Sequence, residues 1–324
     1  MSRAARMGLL AVLAPCAVLL ALRVGVAPVS FSAAWRDPHG VDAAIAGARL
    51  ARVCLGALAG GALALVGASF QALLRNPLGD PYALGVSGGA ALGASLAVLV
   101  GLGGVAVPFA AFAGALGATA AVLAAARASG RVGVESLLLA GLVFNACASA
   151  ALAFIRSVAA SGRAQETLSL LLGVVTEEPA SRVALVGAFV LAGSVALFAA
   201  AKPMNLLALG DDTAASLGVR VGAARVVIFL AASLVVAAVV SVCGLIPFVG
   251  LLVPHYVRSA LGADHRWVLP GSFLAGAALL VLADLAARMV FLALGTEPPV
   301  GALTALVGGP FFLVMLRSLR EESA

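Results

Sequence analysis

The sequence predicts an all-α fold, a polytopic membrane bundle of about ten transmembrane helices forming one domain over residues 1–324, and three observations carry this reading. First, 63% of the 324 residues are hydrophobic and only 10% are charged. Soluble domains run near 45–50% apolar and about 25% charged. A larger core cannot absorb the excess, because a soluble chain still has to cover its surface with polar groups; the solvent facing much of this chain is therefore lipid. Second, apolar runs recur at close to the ~20 residues that a hydrocarbon core of ~30 Å requires. Third, short segments of alternating polarity are missing, which favours helices over a barrel.

Taken in order, the first run (7–28) follows Arg3 and Arg6 and has the outline of a signal peptide. Leu13–Cys16 imitates a lipoprotein cleavage site, but Pro15 stands where a small residue is needed, and nine runs follow. A retained helix is expected. The runs at 53–74 and 83–100 contain GALAGGALALVGAS (56–69) and GGAALGAS (88–95). Such small residues let backbones approach where lipid gives no hydrophobic drive. Runs at 104–126, 136–155, 183–201 and 226–243 come next. The run at 245–261 is shorter and interrupted by Pro247 and Pro254; it is counted as crossing. Runs at 267–293 and 300–316 complete ten.

Basic residues orient the bundle. With both termini cytoplasmic, twelve basic residues between Arg3 and Arg320 fall inside. Six (Arg36, Arg49, Arg52, Arg156, Arg163 and Arg182) fall outside. This orientation places the chain as a multi-pass protein of a bacterial inner membrane.

Several functions are excluded. The net charge of +6 comes from residues scattered between apolar runs, with Lys202 the single lysine. A nucleic-acid surface needs a clustered basic face. The lone lysine rules out a GxxxxGK[ST] phosphate loop, so ATP hydrolysis requires another subunit. His39, His255 and His265 lack metal-ligand spacing. Cys16, Cys54, Cys147 and Cys243 have no CxxC spacing and are expected as small buried hydrophobes. No enzyme, metal site or resident cofactor is expected.

Four features could carry function. Segment 202–221, KPMNLLALGDDTAASLGVRV, reads as two short helices. Pro203 suits a helix start, Gly210 and Gly218 suit ends, and Asp211–Asp212 suit a cap. It is expected to expose Leu206, Leu207, Leu209 and Leu217 on the cytoplasmic side for a partner, or else to fold back on the bundle as an ordinary loop. RNPLGDPYALGVSGG (75–89) reads as a tight turn before a glycine-rich helix start. Asp284 and Arg288, four apart, are expected to neutralise each other on one helix face. Arg49 and Arg52 lie one turn apart just before the second run, on the outer surface, where interfacial anchoring is the simplest role.

Together these segments resemble the iron-chelate and cobalamin permease family of ABC importers. RLAR (49–52), FQALLRNPLGDPYALGVSGGAALGA (70–94) and NLLALGDDTAASLGV (205–219) carry the resemblance. GLIPFVGLLVPHYVR (244–258), GADHRWVLPGS (262–272) and EPPVGALTALVGGPFF (297–312) extend it in the same order. The resemblance implies a type II ABC importer permease of ten helices, paired with a second permease subunit, most simply as a homodimer. It also implies two ATP-binding subunits, which hold ATP and Mg, and a periplasmic substrate-binding protein. By resemblance, Asn205, Leu206, Leu209, Gly210, Asp211, Ala214, Leu217 and Gly218 couple to the ATPase. Arg49 and Arg52 receive acids of the binding protein, and Phe144 and Asn145 in SLLLAGLVFNACASA (136–150) line the pathway.

Two departures stand out. Ala51 replaces the proline the family has between those arginines, so the helix start is open to a shift. LLLGVV, within 157–182, has Leu where the family often has Trp. The expected cargo is an iron complex, haem or a ferric siderophore, with cobalamin second. An ion-coupled secondary transporter is the rival class, but it calls for broken helices and paired acids near the midplane, and Asp284 is nearly alone.

Overall fold

The computed structural model describes residues 2–82, 84–128, 133–158 and 172–321, and helices are the regular structure among them. In chain order these are α1 (Arg3–Arg23), α2 (Phe31–Arg36), α3 (Val41–Leu74), α4 (Val86–Leu99) and α5 (Ala106–Ala128). They continue as α6 (Val134–Val158), α7 (Ala180–Ala199), α8 (Ala201–Leu207), α9 (Asp211–Ser216) and α10 (Val221–Cys243). The last are α11 (Val249–Leu261), α12 (His265–Leu294) and α13 (Val300–Glu321). Seven of them (α1, α3, α5, α6, α7, α10 and α12) are long and apolar enough to cross a membrane.

Of the other three apolar runs, two fold as shorter helices, α4 with 14 residues and α11 with 13, and the third forms α13, with 22. At 1.5 Å per residue, α4 and α11 rise only about 20 Å, short of the ~30 Å hydrocarbon core. Pro247 explains why the run from 245 starts late, since its neighbours 244–248 are non-helical. That break needs partners for its backbone, because lipid offers none. Tyr82 supplies them: its hydroxyl donates to the Ile246 carbonyl at 3.1 Å and accepts from the Ile246 N–H at 2.9 Å. Close by, the Val174 N–H donates to the Cys243 carbonyl and the Gly301 N–H to the Gly173 carbonyl, both at 2.9 Å.

Helix α3 is the axis of the bundle. It runs 34 residues, starting twelve before its apolar run, and is buried almost continuously from Val53 to Leu74. It packs on α12, α10 and α11. Two glycine contacts set how near those neighbours come. A Cβ on Gly60 would overlap the Gly276 carbonyl of α12, and one on Gly67 would overlap Gly250 of α11. Backbone-to-backbone contact of this kind holds helices together by dispersion where no hydrophobic drive exists. On the other flank Phe70 of α3 meets Phe229 of α10, with ring centroids 6.2 Å apart.

The cysteine expectation is corrected at two positions. Cys243 is buried and Cys54 half-buried, but Cys16 and Cys147 are exposed on α1 and α6. Both helices show little buried surface within this single chain, so residues on their apolar faces reach its outside.

Candidate coupling face and buried charge cluster

Segment 202–221 forms two short helices, α8 and α9, hinged at Gly210, whose φ of 115° suits only glycine. Asp211 and Asp212 fall in the first turn of α9, with Gly210 as its N-cap, so they favour the helix through its dipole and make no side-chain cap. The expected row of exposed leucines is half corrected. Leu209 and Leu217 are 64% and 56% exposed, whereas Leu207 is 2% exposed and Leu206 packs partly against the core. Helical spacing explains this: Met204 and Leu207 share one face of α8, and that face turns into the bundle. Ala214 is fully buried on α9, so it acts as a packing residue and presents nothing to a partner.

Three polar joints pin the segment to the bundle. Arg75, the left-handed C-cap of α3, donates from Nε to the Leu207 carbonyl at 2.8 Å, and its Nη2 pairs with Asp211. Burial, together with repulsion from Arg225, lowers the Arg75 pKa. Arg225 of α10 reaches the same carboxylate with both oxygens at 2.7 and 2.8 Å. Asn205 forms the third joint, with the start of α12. Its Nδ2 donates to Asp264 Oδ1 at 2.7 Å, and its Oδ1 accepts from the His265 backbone N–H at 2.9 Å and from His265 Nδ1 at 2.7 Å. An ionised carboxylate only accepts, which fixes the amide orientation and requires the proton on Nδ1. Gln71, Arg75, Asn76, Arg258 and Asp264 line an open pocket of about 500 Å³ beside these joints.

The 75–85 turn connects this face to the bundle interior. The Asp80 carboxylate accepts from the Tyr82 N–H at 2.7 Å, and burial raises its pKa. Asn145 of α6 donates from Nδ2 to the Tyr82 carbonyl at 3.1 Å. Phe144 abuts Gly85 and lines a groove of about 470 Å³ between α5 and α6, with Val122, Ser136, Leu139 and Cys147. Phe144 and Asn145 thus stand between the groove and the Tyr82 turn. Of the stretch 157–182, residues 159–171 lie outside the described residues, which include Leu170 and Leu171 of LLLGVV.

A second site lies at the other end of α12. The twenty residues from Asp264 to Asp284 make a rise of about 30 Å. Arg52 of α3 donates from Nε and Nη2 to Asp284 Oδ1 at 3.1 and 2.8 Å and also pairs with Glu297. Arg288 Nε lies 3.1 Å from Asp284 Oδ2, which bears out the i,i+4 pair. Arg49 donates to the Leu22 carbonyl at 2.9 Å and the Ala27 carbonyl at 2.5 Å. The first of these belongs to the last turn of α1, where cations satisfy free carbonyls.

The expectation that Arg49 and Arg52 stand open just before a helix is therefore corrected. They are 7% and 9% exposed, with partners inside the chain. One helix runs unbroken from Val41 through Ala51 and carries both arginines into the bundle. Sequence reading paired Asp284 with Arg288 and missed Arg52; only the contact of α3 with α12 reveals it. No group of three or more His, Cys, Asp or Glu suited to a metal occurs among the described residues.

Seven helices long and apolar enough to cross a bilayer, a chain break stitched by side chains, and a short helix pair held on one end define a multi-pass membrane protein. The FecCD transport family matches residues 11–318, and the chain belongs to it. The chain is 42% identical over 299 residues to the cobalamin import system permease protein BtuC of Halobacterium salinarum, an alignment spanning 92% of this chain and 78% of that one. It is 37% identical to the hemin transport system permease protein HmuU of Yersinia pestis, over 85% of this chain and 83% of that one. A solved structure, described as an inward-facing conformation of a metal-chelate type ABC transporter, superposes with a TM-score of 0.86 at 26% identity. That superposition covers 98% of this chain and 99% of the other. The protein is therefore an inner-membrane ABC importer permease, a class that transports and does not catalyse, and the family implies ATPase and substrate-binding partners.

Proposed function

We propose that this permease imports a metal chelate from periplasm to cytoplasm as one of two identical subunits, driven by two ATPase subunits that hold ATP and Mg. The α8–α9 segment supports this most directly. Its Leu209 and Leu217 stand exposed among charges on an element pinned to α3, α10 and α12. An element built in this way accepts a docking partner on its outer surface and passes force to three helices. We place this face, and both termini, in the cytoplasm, following the distribution of basic residues. The binding protein then meets the opposite end. There Arg52 is shielded by Glu297, whose side chain is 33% exposed, so a partner's acid reaches Arg52 by displacing Glu297.

An iron chelate, haem or a ferric siderophore, is the first cargo reading, supported by the likeness to a hemin permease. Cobalamin is the second, favoured by the 42% identity to a cobalamin permease. Both cargoes are bulky metal complexes, which a groove lined by Phe144, Val122 and Leu139 can pass without metal ligands of its own. Uptake of haem, a ferric hydroxamate and cobalamin into vesicles holding the complete importer tests the reading. ATP-dependent accumulation of one of them is expected, and accumulation of all three without ATP would remove it.

A further inference from the structure

Helix α12 is anchored to different parts of the chain at its start and two thirds of the way along. At Asp264 and His265 it grips Asn205, on the coupling segment, through three hydrogen bonds of 2.7–2.9 Å. About 30 Å away, at Asp284, it grips Arg52 of α3. Between these points it is one continuous helix, with Pro270 near its start, pressed backbone to backbone on α3 where Gly60 meets Gly276. Helix α3, held at its Arg75 cap to Leu207 and Asp211, runs beside α12 and carries Arg52 itself, so the two helices together link the coupling segment to the cluster. Rigid elements with two arrangements carry coupling between distant sites.

We propose that the Asn205–Asp264–His265 joint transmits movement of the coupling segment through α12 to the Arg52–Asp284–Glu297 cluster, making Asp264 and His265 positioning residues for transport. The inference rests on docking of an ATPase subunit at α8–α9. Asp264 has two duties that can be separated. As N-cap of α12 it accepts the Arg266 N–H at 3.0 Å, and as the joint it accepts from Asn205. Serine is as good an N-cap as aspartate, but its shorter side chain does not reach Asn205. Asparagine keeps a carbonyl oxygen in the same place and can serve both.

The test uses the complete importer in lipid nanodiscs, with spin labels at Leu102 and Leu294, which are 50% and 71% exposed. The distance between them is measured with and without ATP and vanadate, for Asp264→Ser, Asp264→Asn and the parent. The parent and Asp264→Asn are expected to show a nucleotide-dependent change, and Asp264→Ser to show a smaller one while still assembling and hydrolysing ATP, because Arg75 still holds the segment to α3. His265→Phe, which fills the same space without the Nδ1 donor, is expected to reduce the change, and it serves if Asp264→Ser does not assemble. A full response in Asp264→Ser overturns the joint, as does an equal loss in Asp264→Asn. Failure of the parent to assemble with ATP-binding subunits overturns the docking reading instead, so the two failures are distinct.

Discussion

Arg52 and Asp284, 232 positions apart in sequence, meet at 2.8 Å in the interior, with side chains 11% and 2% exposed. Removing one partner from a buried pair strands the other charge and typically costs about 3–5 kcal/mol. Arg52→Ala leaves Asp284 with Arg288 as its one cation and Glu297 with solvent, so it is expected to lower stability by about the lower end of that range, measured as the melting midpoint in detergent. A loss under about 1 kcal/mol, the usual worth of an exposed pair, would mean that water already reaches the cluster.

The sequence disclosed the helical class because lipid leaves its mark on composition, and the long runs because their length is set by the bilayer, whereas α4 and α11 fold shorter than their runs. It did not disclose which face of α8 turns inward, since Leu206, Leu207 and Leu209 are chemically alike and only the bundle beneath them selects Leu207. Nor did it disclose Arg52 as the partner of Asp284. An i,i+4 neighbour such as Arg288 is visible along the chain, whereas a partner on another helix depends on the α3–α12 packing that Gly60 and Gly276 permit. Nor was it visible that the helix reaches back to Val41 and holds both arginines inside it.

The leucines of the coupling segment separate packing from docking. Leu207→Ala, at a site 2% exposed, is expected to destabilise the permease by about 2–5 kcal/mol. Leu209→Glu and Leu217→Glu change exposed positions and are expected to leave the melting midpoint nearly unmoved. Their effect should appear as weaker retention of the ATPase subunits during size-exclusion chromatography. Normal retention in the double variant would remove these leucines from the interface.

Glu297 contributes the exposed carboxylate of the charge cluster. Its neutralisation by Glu297→Gln leaves Asp284 to hold Arg52, so stability should change little. The rim becomes more positive, and association of an acidic patch on the binding protein is expected to quicken at low salt. The gain should fade as salt screens it, with a Debye length of about 8 Å at 0.15 M. Surface plasmon resonance across salt concentrations reads this directly, and slower association at low salt would show that Glu297 itself contacts the partner.

Asp264 gives the coupling joint a defined response to acid. The Arg266 N–H, then the Asn205 amide, both donate to its carboxylate and hold its pKa below the ordinary 3.8. Because the folded pKa lies below the unfolded one, the stabilisation is complete above pH 3.8 and fades as pH falls through the folded value. Asp264→Asn keeps the cap and the acceptor but cannot ionise, so it isolates the charge. The site is largely open to solvent, so screening keeps the contribution small. The parent's melting midpoint should exceed that of Asp264→Asn by a constant margin from pH 7 to about 4, and the margin should close below that. His265 adjoins Asp264 and is electrostatically coupled to it, so both proteins carry His265→Phe in this comparison, and the remaining titrating groups are common to the two. A margin that persists unchanged to pH 2.5, or one that grows on acidification, would show that the Asp264 carboxylate is not the group these donors stabilise.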